Sequence, residues 1–110
     1  MTTSAPDVVH RYFELDAERD IDGIVALFTN DATVVDEGET HLGAAAIRAW
    51  RTGPASTYDY RTTVIKTERT GDNQYRVTAR LDGNFPGGTV ELRHDFTVTG
   101  DRVVYLHIAP

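Results

Sequence analysis

Apolar residues recur at helical spacing in the first half of the chain and alternate with polar ones in the second, the change falling near residue 56. Val8, Val9, Tyr12, Phe13 and Asp16 form one stripe, which predicts a helix from about Ala5 to Glu18. Ser4 can cap it, with Asp7 three residues on, close to the capping-box pattern, and Pro6 is tolerated in a first turn. A second helix is expected from Ile21 to Phe28, capped by Asp20 and largely buried through Ile24, Val25, Leu27 and Phe28. Thr29-Asn30-Asp31 reads as a turn. A short strand then runs from Ala32 to Asp36 and is broken at Glu37-Gly38-Glu39. A third helix is expected from Ala44 to Arg51, with Ile47 and Trp50 on one face and Gly53-Pro54 as its stop signal.

The second half predicts four long antiparallel strands. They run from Thr57 to Arg69, from Gln74 to Phe85, through Val90 to Val98, and from Arg102 to Ile108. Gly71-Asp72-Asn73, Pro86-Gly87-Gly88 and Gly100-Asp101 make the turns, and Gly83 inside a strand pattern marks a bend or bulge. Three helices followed by a meander imply one α+β domain over residues 1–110, with the helices packed on one face of a curved antiparallel sheet.

Two polar residues break these patterns. In Val90-Glu91-Leu92-Arg93-His94-Asp95-Phe96-Thr97-Val98, alternation puts His94 on the same face as Val90, Leu92, Phe96 and Val98. Asp36 shares its face with Ala32 and Val34. A buried titratable group is costly unless it is paired or used, so the two suggest a pocket with chemistry in it.

Composition narrows the alternatives. The chain of 110 residues is 40% apolar and 25% charged, enough for one core. Acidic residues outnumber basic ones 17 to 11, for a formal net charge of −6, which disfavours nucleic acid and anionic membrane surfaces as partners. Without cysteine there is no disulfide framework and no thiolate chemistry. No apolar stretch has the length of a membrane span, and Met1 to Pro6 shows no signal-peptide pattern, so a cytoplasmic protein is the expectation. Of the four histidines, His10, His41, His94 and His107, none sits in a recognisable metal-ligand motif, and no metal or cofactor is expected. Whether His107 neighbours His94 depends on strand register. Pro86-Gly87-Gly88 lacks the following helix a phosphate-cradling loop needs.

Val9-His10-Arg11-Tyr12, the run from Asp22 to Phe28, the run from Asp31 to Asp36, and Gly43-Ala44-Ala45-Ala46-Ile47-Arg48 together resemble the bacterial steroid Δ5-isomerases. More broadly the chain resembles the nuclear transport factor 2-like superfamily, including SnoaL-like polyketide cyclases. The likeness is dense over residues 8–50 and thinner through Ile108. It implies a cone-shaped fold with a pocket between sheet and helices, in a homodimer. It also implies roles: Tyr12 matches the tyrosine that donates a hydrogen bond to the substrate oxygen, and Asp36 the aspartate that moves the proton. His94 falls where the isomerases carry a protonated aspartic acid, and Arg51 where they carry a supporting tyrosine. With the last strand ending near Pro110, no tail is expected to cover the pocket.

Removing a proton α to a carbonyl needs a base and donors for the enolate oxygen. A carboxylate in an apolar pocket is a stronger base than one in water, which suits Asp36. Tyr12 and His94 then form an oxyanion hole, or His94 shares a proton with Asp36 as an acid–base dyad. Each residue also has a plain structural use: Tyr12 as a satisfied core tyrosine, Asp36 as a turn cap beside Gly38, His94 as a core histidine. Trp50, Phe85, Phe96 and Tyr105 read as core or pocket wall, and Tyr58 and Tyr60 as pocket lining or dimer contacts. Trp50, Tyr58, Phe85 and Phe96 are the candidate substrate-binding residues. The expected partner is a small apolar ketone-bearing ligand. The expected activity is a cofactor-independent isomerase or cyclase, against a non-catalytic ligand-binding protein or a dimeric interaction module.

Overall fold

A computed structural model describes residues 5–53 and 58–110. Helices α1 (Asp7–Glu18) and α2 (Ile21–Ala26) come first, then strands β1 (Phe28–Asp36) and β2 (Glu39–Leu42) and helix α3 (Ala44–Thr52). Strands β3 (Tyr60–Gly71), β4 (Gln74–Gly83), β5 (Thr89–Thr99) and β6 (Arg102–Ala109) follow. The six strands form one curved, unclosed sheet in the order β2-β1-β6-β5-β4-β3, with the three helices as the other component of this α+β fold.

The helical stripe of α1 buries Val8, Val9, Tyr12, Leu15 and Asp16 against the sheet. The helix ends at Arg19, whose left-handed backbone (φ 55°) lets its N–H reach the carbonyls of Leu15 and Asp16. Its N-cap is Pro6, without a side-chain cap; Ser4 lies outside the described residues, as do Pro54 and Thr57. Asp20 caps α2 as expected, accepting a hydrogen bond from the Gly23 N–H at 2.9 Å. That helix stops at Ala26 rather than Phe28. Phe28 instead begins β1, 2% exposed and paired with Val103, while the Val103 N–H donates to the Leu27 carbonyl. Thr29-Asn30-Asp31 is therefore strand, not turn: its polar side chains sit in an irregularity of register between Phe28 and Thr33.

The break at Glu37-Gly38 is a two-residue hairpin turn. Asp36 pairs with Glu39, and Glu37 (φ 53°) and Gly38 (φ 77°) both take the left-handed conformations that match the twist of the flanking strands. The strand that follows, β2, was not expected. Strand β1 pairs antiparallel with β2 and parallel with β6, and the remaining pairs are antiparallel. The core lies between helices and sheet around Trp50, Phe96, Ile24, Ile47 and Leu106. Gly83 ends β4 where the chain approaches closely: a Cβ there would run into the Asp59 carbonyl oxygen. Among the described residues no helix is long and apolar enough to cross a membrane.

Candidate active site

Strand register explains how Asp36 and His94 come to one side of the sheet. Asp36 pairs with Ile108, Ile108 with His94, and His94 with Val77. Directly paired residues share a face, so the four form a row across β1, β6, β5 and β4. Asp36 and His94 are thus two strand spacings apart, roughly 9.6 Å between backbones. Ile108 stands between them, and no hydrogen bond joins them. His107 pairs with Asp95, on the strand face opposite His94, although it too borders the cavity described below. Among the described residues no group of three His, Cys, Asp or Glu could hold a metal.

Over this row the helices leave a cavity of about 650 Å³. Tyr12 from α1, Asp36, and His94 all line it. Leu81, Phe85, Val90, Leu92 and Ile108 make its apolar wall, and Glu37 and Gly38 of the hairpin also border it. Of the candidate substrate-binding residues, Trp50, Tyr58 and Phe85 line the cavity. Tyr58 and Phe85 meet edge to face, their centroids 6.0 Å apart. Phe96 is not among the residues that line it. It shares a face with His94 but lies deeper in the core, 1% exposed, its ring 5.5 Å from that of Tyr12 and 6.4 Å from that of His94. Tyr105 is neither core nor cavity wall but 38% exposed.

Asp36 is half-buried, and the Trp50 indole Nε1–H donates to its Oδ2 at 2.9 Å. Tyr12 is 2% exposed, and burial pushes its hydroxyl well above the usual tyrosine range, so it is a proton donor at any working pH; the Arg51 guanidinium opposes this, and Asp16 adds to it. His94 is 5% exposed, and burial pulls its pKa down to about 4, against the charge of Asp16 and the carbonyls of Val77 and Leu92. Neither carbonyl accepts a hydrogen bond from Nδ1, which has no partner among the described residues. At neutral pH His94 is therefore a neutral imidazole, with one N–H donor and one lone pair.

A second polar cluster also borders the cavity. Asp16, one helical turn after Tyr12 and on the same face, accepts from Arg51 Nη2 at 2.6 Å and from the Tyr60 hydroxyl at 3.0 Å. The Asp16 and Arg51 side chains are 7% and 6% exposed. Burial alone would lower the Arg51 pKa, but Tyr12, Asp16 and Tyr60 together hold it charged. Burial beside Asp16 pushes the Tyr60 hydroxyl up to about 12. Sequence reading did not find this cluster, although its sign was visible: Asp16 occupies an otherwise apolar stripe.

The fold and this cavity define the class: the chain belongs to the SnoaL-like domain family, whose family model matches residues 9–106. Among solved structures it is similar to a candidate polyketide cyclase from Sinorhizobium meliloti. The two are 33% identical with a TM-score of 0.89, over 96% of this chain and 95% of that one. A protein of ketosteroid isomerase-like fold from Catenulispora acidiphila, crystallised with trimethylamine, is 18% identical with a TM-score of 0.84, over 97% and 87% of the two chains. SalBIII, an epoxide hydrolase/cyclase-like enzyme of pyran ring formation in salinomycin, is 20% identical with a TM-score of 0.80, over 93% and 86%. The last two show a shared fold. No curated protein matches the chain.

Proposed function

We propose that the protein is a cofactor-independent enzyme that moves a proton α to a carbonyl of an apolar ketone-bearing substrate, in isomerisation or aldol-type cyclisation. Asp36 removes the proton. Tyr12 donates to the developing enolate oxygen, and neutral His94 gives a second hydrogen bond. One observation carries this reading: a half-buried carboxylate, a buried tyrosine and a buried neutral imidazole line one largely apolar cavity. Preorganised donors in such a site strengthen as charge develops on the substrate. The acid–base dyad between His94 and Asp36 is the less favoured arrangement, because Ile108 separates them in the row. The resemblance to a candidate cyclase supports the cyclisation arm. The reading carries with it a single domain acting as a cytoplasmic homodimer on a small apolar ketone.

The test needs no knowledge of the natural substrate. β-Tetralone, a bicyclic ketone with acidic α protons, is incubated with the protein in heavy water, and loss of its α-proton signal is followed by NMR. The wild type is expected to exchange these protons faster than an equal concentration of acetate. Asp36→Asn should abolish the excess while leaving β-tetralone affinity nearly unchanged, and Tyr12→Phe should lower it by ~10²-fold. Exchange no faster than acetate, or unchanged in Asp36→Asn, overturns the reading. Binding without exchange identifies a ligand-binding protein instead.

A further inference from the structure

Trp50 is buried to 1% exposure, yet its indole N–H is spent on a residue at the cavity. Indole has one donor and no acceptor, so this bond is the only polar use open to the side chain. The ring has little freedom to give it up. The His41 ring lies tilted beside it, centroids 6.0 Å apart at 32°, and the Arg51 guanidinium packs over it at 5.2 Å. Arg51 is itself fixed to Asp16 of α1. Asp36, by contrast, sits at the end of a strand, next to a two-residue turn with two left-handed residues. Its own backbone does little to fix a carboxylate rotamer.

We propose that Trp50 is the positioning residue of the site: it holds Oδ2 of Asp36, so that the other carboxylate oxygen alone is presented to the ligand. The inference rests on Asp36 working in the cavity and assigns the residue that aims it. Three elements meet around this one hydrogen bond: α3 supplies the indole, β1 the carboxylate, and β2 the tilted His41 ring beside the indole. The bond between a neutral donor and an ionised acceptor belongs to the stronger kind, which suits it to orientation.

The chain has one tryptophan, so the full-length protein shows a single indole N–H proton resonance. With Asp36 as partner, that resonance is expected downfield and protected from exchange with water. Asp36→Asn should move it upfield, and Asp36→Ala should move it further and speed its exchange. In the β-tetralone assay, Trp50→Phe should lower kcat ~10–10²-fold with KM nearly constant, the signature of a misaimed base rather than a lost binding contact. Trp50→His, which keeps a ring N–H, should recover part of the loss. An indole resonance indifferent to both Asp36 variants overturns the inference, as does a folded Trp50→Phe variant with wild-type kcat. The resonance decides even if β-tetralone is never turned over or Trp50→Phe does not fold. Failure of the enzymatic reading and failure of the positioning role are therefore separately visible.

Discussion

Replacing His94 by Phe should remove an acid-sensitive element of stability. In the fold His94 has a pKa of about 4 because burial disfavours its charged form. In the unfolded chain an ordinary histidine titrates near 6.5. Between these values the unfolded state binds a proton that the folded state refuses. Stability is therefore complete above pH 6.5, falls as the pH drops toward 4, and levels off below. A gap of about 2.5 pH units at about 1.4 kcal/mol each gives ~3 kcal/mol. Phe fits a site already surrounded by Phe13, Phe96 and Tyr12, with ring centroids 5.1 to 6.4 Å from that of His94. It also removes the unpartnered Nδ1. Urea unfolding of wild type and His94→Phe, at pH 7 and at pH 4, isolates the effect, because the carboxylates titrate in both proteins. The difference in unfolding free energy between the two should shift by ~3 kcal/mol in favour of the variant on acidification. A difference that stays constant across that range would refute the burial argument for His94.

Arg51→Met leaves Asp16 as a buried carboxylate without its cation and should destabilise by ~3–5 kcal/mol; the double variant with Asp16→Asn should recover most of that loss, and urea melts of the four proteins measure it. If the double variant is no more stable than Arg51→Met alone, the pair is not the unit described. Gly83→Ala forces a methyl against the Asp59 carbonyl and should destabilise by ~1–3 kcal/mol; an unchanged melting temperature would show that the Asp59 segment yields freely.

Periodicity made the helices and the four long strands legible, because each buries a regular stripe or an alternating face. It missed β2, whose Glu-Thr-His-Leu has no alternation because this edge strand is mostly exposed, Leu42 to 67%. It misread Thr29-Asn30-Asp31 because turn-forming residue types also fit a strand at an irregularity. The parallel pairing of β1 with β6 joins segments some seventy residues apart and leaves no local trace. At the candidate site, alternation and family register marked Tyr12, Asp36 and His94. Alternation gives a face but not a depth, so it does not separate Phe96, in the core, from Phe85, on the cavity wall. The Trp50–Asp36 and Arg51–Asp16 bonds depend on where α3 lands, and its own residues show only an amphipathic helix.

The row that carries Asp36, Ile108 and His94 works as a ruler. Each strand adds one fixed increment, so the gap between carboxylate and imidazole comes in whole steps and cannot be tuned gradually by backbone drift. A guest that engages both ends must bridge two of those steps less the reach of the side chains. On the proposed reading a fused-ring ketone would have that span, whereas a molecule of acetone's size would reach one end only. The strand spacing would then set the size of guest the site accepts, with Ile108 standing between its two ends.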